Sequence, residues 1–208
     1  MEDCYAGPVW THAHATELGG DPDQILIVGA SAGGGLAAGV ALMARDRQGP
    51  PLIGQVLMCP MIDDRNETPS SHELDEEGVW DRTSNDTGGD ALLGDRRKTD
   101  VVSVYAAPSH ATDLSGLPPA FVDVDSVETF RDEDVDYAVR PWLAGVQAEL
   151  YVWPSGIHGF DLLAPQARHL LDVHLDARRL GAPPARPLRS ASSRRNGGSR
   201  LRPRKWVP

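Results

Sequence analysis

Apolar positions in this chain gather into four short runs, at residues 25–28, 52–58, 120–124 and 149–153, each flanked by Gly, Pro, Asp or Asn. Runs this short, with little polar alternation, predict strands buried on both faces rather than helices. Between and after them, apolar residues recur with helical spacing over residues 35–47, 131–143 and 165–180. Strands that alternate with helices predict an α/β fold, a mostly parallel sheet with helices on both faces. Residues 62–117 interrupt the alternation with more than fifty mostly polar positions and no clear strand. Inside a compact domain such a stretch is expected to be a functional insertion, and residues 63–118 read as lid-like.

At 208 residues the chain can build one good core, assigned here to residues 1–180. The formal net charge of −10 understates the acidity of that body, because residues 186–208 hold eight Lys or Arg and no acid. A body so acidic is not expected to bind nucleic acid. The Pro, Ser, Gly and Arg mixture at 181–208 predicts a disordered basic tail. Cys4 and Cys59 have no metal or redox spacing and read as buried free thiols of a reducing compartment. No apolar run approaches the roughly 20 residues of a membrane span, and no leader is recognisable, so a cytoplasmic protein without membrane partners is expected.

The stretch "ILIVGASAGGGLAAGVALMAR", residues 25–45, fits two glycine templates. Gly33, Gly35 and Ala38 satisfy G-x-G-x-x-[GA], which would make the chain a dinucleotide-binding module. Gly29, Ser31 and Gly33 satisfy G-x-S-x-G, the turn that lifts a nucleophilic serine out of a strand end. Position favours the second. The dinucleotide pattern places its first glycine at the end of the strand, whereas Gly33 comes five residues after Val28. Gly29 follows the strand directly, with Ser31 two residues later. Gly29 and Gly33 would spare the crowded turn two side chains, and the helix beyond would aim its N-terminal N–H groups at an oxyanion on Ser31.

A serine nucleophile needs a base, and the base an orienting acid, in the chain order Ser, acid, His. Of seven histidines only His158 closely follows a strand, in the Pro- and Gly-rich segment "WPSGIHGF". His12, His14, His169 and His174 fall on predicted helices, and His72 and His110 in the insertion. The acid should follow "AFVDV", where Asp123, Asp125, Glu128, Asp132 and Glu133 all lie within reach; spacing alone does not choose. Asp132 and Glu133 also suit a helix start as dipole-compensating charges.

Taken together, "GASAGG" (29–34), "LPPAFVDV" (117–124), "FRDEDVDYA" (130–138) and "HGF" (158–160) resemble the hormone-sensitive-lipase group of α/β-hydrolases, the bacterial family IV carboxylesterases. The likeness runs from about residue 2 to about residue 175. It implies Ser31 as nucleophile, His158 as general base and the Ala32 N–H in the oxyanion hole. It also implies an acid three residues before Arg131, which is Glu128 where Asp is usual. The implied substrates are small short-chain acyl esters, with no cofactor and no metal.

The departures from the pattern carry expectations of their own. Ala30 replaces the usual Asp beside the nucleophile, and Asp125 stands where Gly is usual. Pro141 falls inside a predicted helix, where it should kink the chain. The 30 residues before Ser31 contain no H-G-G-G segment, the second source of oxyanion N–H groups in such enzymes. The expectation is therefore an N-terminally truncated, partial α/β-hydrolase. Its strand at 25–28 would be an exposed apolar edge that pairs with another copy as a homo-oligomer. The alternative expectation is a catalytically weak or inactive remnant.

Overall fold

The computed structural model describes residues 1–164. The helix expected at 165–180, with His169 and His174, and the basic tail at 181–208 lie outside the described residues. The elements are α1 (Glu2–His14), β1 (Ile25–Ala30), α2 (Ala32–Asp46), β2 (Leu52–Met58), α3 (Pro69–Glu73), α4 (Arg82–Leu93), β3 (Ala120–Val127), α5 (Arg131–Leu143), β4 (Ala148–Ile157) and α6 (Phe160–Leu163). The four strands form one parallel sheet in the order β1-β2-β3-β4. No helix among the described residues is long and apolar enough to cross a membrane.

Core packing follows from the small residues of α2. Ala37, Ala38, Ala41 and Leu42 of α2 bury against Leu57, Ala120 and Val122 of the sheet, together with Tyr137 and Ala138 of α5. Ala and Gly on this face let other backbones cross α2 closely. A Cβ at Gly35 would stand 1.9 Å from the Met61 carbonyl oxygen, and one at Gly39 would stand 2.0 Å from that of Tyr105. Chain segments from the insertion therefore lie directly on the helix that follows β1.

Three boundaries differ from the sequence pattern for physical reasons. Helix α2 begins at Ala32 rather than at residue 35, because the turn at Ser31 is tight enough to start the helix at once. Strand β4 continues past Trp153 to Ile157 through Pro154, where the sequence suggested a loop. As β4 lies at an end of the described sheet, Pro154 there need not deprive an inner ladder of a donor. A register shift between Asp125 and Val127 accommodates the extra length, and the Ser155 N–H donates to Ser126 Oγ at 2.8 Å. Helix α5 runs through Pro141 and stops two residues later, so the proline sits in the last turn, where little helix remains to be disrupted.

The insertion contains no strand among its residues but is firmly tied down. Thr68 caps α3 by accepting from the Ser71 N–H, and Asp81 caps α4 by accepting from the Ser84 N–H at 2.7 Å. Asn85 Nδ2 donates to Asn66 Oδ1 at 3.1 Å within a buried polar knot. Ser70 Oγ donates to the Thr129 carbonyl at 2.9 Å, and the Ser70 N–H donates to Asp132 at 2.8 Å. Those two bonds fasten α3 to the turn between β3 and α5. Ile62, Leu114 and Leu117 join the main core.

At the other side of the sheet β1 pairs with β2 alone among the described strands, and Val28 is 54% exposed. The apolar edge expected at residues 25–28 is present in the described fold.

Candidate active site

Three parallel strands end near one another, and each delivers one side chain. Ser31 follows β1 directly, with φ +54° and ψ −125°, a left-handed conformation that a serine adopts only under strain. The turn is held by backbone bonds. The Ser31 N–H donates to the Met58 carbonyl at 2.9 Å, and the Ser31 carbonyl accepts from Gly34, Gly35 and Met61. Ala32 opens α2, so its N–H has no acceptor within the helix and faces the start of the dipole.

Of the two elbow glycines, Gly29 is the one the geometry demands. A Cβ at Gly29 would stand 2.1 Å from the Gly33 carbonyl oxygen, whereas one at Gly33 would meet nothing within 4 Å. The second close approach falls instead at Gly34, where a Cβ would lie 2.7 Å from Pro60. Gly29→Ala should therefore lower stability by about 3 kcal/mol in urea unfolding, while Gly33→Ala changes it by less than about 1 kcal/mol. Equal effects at the two positions would contradict this packing.

His158 follows β4. Its Nε2 lies 3.0 Å from Ser31 Oγ, and its Nδ1 contacts Glu128 Oε1. A proton on Nδ1 satisfies both contacts: Nδ1–H donates to the carboxylate, and Nε2 is left to accept from the serine hydroxyl. Phe130 meets the imidazole edge to face at 5.3 Å, and Trp80, from the insertion, lies 6.4 Å away. Trp80 carries no motif, so nothing in the residue pattern signals that the insertion brings an aromatic ring to this histidine.

Glu128 sits just beyond β3 and is almost fully buried. Besides the imidazole, its carboxylate accepts from the Asp125 N–H at 3.2 Å. The other acids near this strand have different partners. Asp123 accepts from Trp153 Nε1 at 3.0 Å, and Asp132 pairs with Arg131 at 2.8 Å. Glu133 accepts from the backbone N–H groups of Ile62 and Asp63. Glu133 is buried, not a solvated dipole-compensating charge, because the chain after β2 folds over it. The remaining described histidines also have local partners: His12 the Pro22 carbonyl, His14 the Trp10 carbonyl, His72 Glu67, and His110 Asp64.

Carboxyl groups accumulate behind the site. Glu133 and Asp134 are both enclosed, and burial together with neighbouring carboxylates pushes each well above the usual carboxylate range. Neither Asp134 oxygen has a hydrogen-bond partner among the described residues. Burial and the nearby acids also push the Cys59 thiol up, so Cys59 is held as a neutral thiol. The folded protein thus keeps a proton on Asp134 that the unfolded chain releases above its ordinary value of 3.8. Stability conferred below that value is lost as pH rises toward the folded group's own ionisation. Asp134→Asn, which needs no proton, should raise the urea midpoint more at pH 8 than at pH 5. An equal gain at both pH values would show that Asp134 is not protonated in the fold.

Two groups of side chains among the described residues bring metal-ligating atoms within 4.8 Å of one another: Cys59 with Glu128 and His158, and Asp63 with Asp64 and His110. In the second group Asp63 is already held by Arg65, and Asp64 accepts from the Lys98 N–H at 2.6 Å.

A parallel sheet with a strained serine turn after one strand, followed by acid- and histidine-bearing turns after later strands, defines the class of α/β-hydrolases. The chain belongs to that family: residues 1–162 match the family model described as alpha/beta hydrolase fold, within the hormone-sensitive-lipase-like group. Among curated proteins it is 37% identical over 176 residues to the carboxylesterase NlhH of Mycobacterium tuberculosis, covering 80% of this chain and 54% of that protein. It is 31% identical to the arylesterase of Saccharolobus solfataricus, covering 84% of this chain and 56% of that protein. Among solved structures, a bacterial heroin esterase superposes with a TM-score of 0.81 at 41% identity, covering 87% of this chain and 59% of the other. The esterase LipW from Mycobacterium marinum gives 0.76 at 33% identity, covering 83% and 54%. The chain spans about half the length of the curated relatives it matches.

Proposed function

We propose that this chain carries the catalytic centre of a carboxylic ester hydrolase for short-chain acyl esters, working through a Ser31–His158–Glu128 triad. The observation that carries the reading is the continuous hydrogen-bonded chain from Glu128 through His158 to Ser31, at the strand ends of the sheet. Ser31 Oγ attacks the ester carbonyl as His158 Nε2 takes its proton, and Glu128 stabilises the imidazolium that forms. The tetrahedral oxyanion develops beside the Ala32 N–H, where the helix N-terminus favours negative charge. His158 then returns the proton to the leaving alcohol. A water activated by the same imidazole releases the acid from Ser31. In this reading residues 63–118 act as the lid, with Trp80 narrowing the space beside His158.

The dinucleotide alternative fits less well. Gly33 lies inside α2, and the strand end is occupied by a strained serine rather than by an open glycine turn. A second reading, a catalytically weak form, is favoured by one specific observation. Among the described residues the N–H groups beside Ser31 come from the first turn of α2, and an oxyanion held by that turn alone would form roughly 10²–10³-fold more slowly than one with a further donor. The exposed β1 edge supports pairing of copies, which light scattering reads directly.

The test is hydrolysis of p-nitrophenyl acyl esters from acetate to dodecanoate by the 208-residue chain. The expected result is a preference for the short acyl chains with a p-nitrophenolate burst matching the enzyme concentration, the sign of an acyl-enzyme. Slow steady turnover after that burst selects the weak form. A folded chain that hydrolyses none of the series and gives no burst contradicts both active forms and selects the inactive remnant.

A further inference from the structure

We propose that Cys59, Glu128 and His158 form an inhibitory site for a soft divalent cation of the Zn²⁺ type, which silences the serine by taking its histidine. The binding claim stands on the three side chains alone; the inhibitory consequence rests on the reading of His158 as general base. The three residues offer a thiol, a carboxylate and an imidazole whose ligating atoms all lie within 4.8 Å of one another. Sulfur, nitrogen and oxygen in one cluster suit zinc, which accepts mixed donors tetrahedrally. Bond lengths of about 2.0–2.3 Å place ligand atoms roughly 3.3–3.8 Å apart around such an ion, so small side-chain adjustments close the site.

The scaffold is rigid where it matters. Cys59 follows β2 in a left-handed conformation at φ +37°, and its N–H donates to the Asp123 carbonyl at 2.7 Å. Glu128 and His158 follow β3 and β4, so all three ligands come from strand ends rather than from free loops. The surroundings favour a cation. Asp123 and Asp134 face Cys59 together with Glu128, and the enclosed Asp134 carboxyl has no hydrogen-bond partner among the described residues. The His158 side chain retains 13% exposure, which gives an ion an approach from the substrate side. On binding, the thiol gives its proton to solvent and the imidazole proton moves from Nδ1 to Nε2 as the metal takes Nδ1, so one proton is released for each ion bound. The imidazole is then fixed on the metal and no longer accepts the proton of Ser31.

The test titrates Co²⁺ into the reduced, metal-free 208-residue chain. The expected result is a near-ultraviolet thiolate-to-cobalt band that saturates at about one equivalent and is displaced by Zn²⁺. The band should be lost in Cys59→Ser and kept in Cys4→Ser. A band that survives Cys59→Ser, or cobalt binding with no thiolate band, overturns the site; the latter is what Asp63, Asp64 and His110 would produce. With the same samples, stoichiometric Zn²⁺ should slow fluorophosphonate labelling of Ser31 at least tenfold in the parent chain but not in Cys59→Ser. Unchanged labelling with zinc bound at Cys59 overturns the inhibitory role. Absence of labelling in the metal-free chain refutes the catalytic reading, while the cobalt spectrum still decides the metal site.

Discussion

Ser31→Ala is expected to lower the turnover of p-nitrophenyl butyrate by about 10⁵-fold, or to the uncatalysed background if the parent activity is smaller than that. The loss should fall almost wholly on kcat, because in the proposed mechanism the hydroxyl forms the covalent bond to the acyl group. Stability should change by less than about 0.5 kcal/mol. The Ser31 hydroxyl contacts His158, whereas the turn is held by backbone bonds to Met58, Gly34, Gly35 and Met61, all of which alanine retains. Alanine also leaves the left-handed strain at this position in place. Ser31→Gly should relieve that strain and raise the unfolding midpoint while being equally inactive. A Ser31→Ala chain that keeps more than a tenth of the parent turnover would remove Ser31 from the mechanism.

Glu128→Gln is expected to lower kcat by about 10⁴-fold while leaving the protein as stable as before or more so. An amide in place of the carboxylate no longer fixes the proton on His158 Nδ1, nor does it stabilise the imidazolium. The stability expectation comes from the setting: Glu128 is buried, and its charge is one of the causes that push the enclosed Glu133 and Asp134 carboxyls well above their usual range. Removing that charge lets the two enclosed carboxyls ionise at less cost, so stability is kept or gained, whereas the proposed mechanism loses its orienting acid. Asp125→Asn provides the control, with kcat changed less than tenfold, because the contact of Asp125 with Glu128 is made by the backbone N–H. A larger loss of kcat at Asp125 than at Glu128 would reassign the acid. Urea unfolding and steady-state kinetics on the same preparations separate the two effects.

Much of this site was legible in the chain because strand ends are marked by abrupt changes of residue type. The run at 25–28 stops at Gly29, and Ser31 follows at the distance an elbow requires. The Pro- and Gly-rich segment before His158 likewise signalled a presented imidazole, although Pro154 proved to lie within an extended β4 and not in a loop. The choice among five acids was not legible from spacing. It depends on register between β3 and β4, and that register shifts between Asp125 and Val127. Burial of Glu133 and Asp134 was hidden for a related reason. Acidic residues at a helix start read as solvated charges, and only the fold shows the chain after β2 closing over them. The contribution of Trp80 depends on packing of an insertion whose sequence carries no periodic signal.

The central claim is that Ser31 is a nucleophile activated by His158 and oriented by Glu128. The most direct measurement is reaction of the folded 208-residue chain with a fluorophosphonate, followed by mass spectrometry of its peptides. The predicted result is a single adduct on Ser31, forming at least a hundredfold more slowly in His158→Ala and in Glu128→Gln. An adduct on another serine, or labelling of Ser31 at an unchanged rate in His158→Ala, would contradict the account.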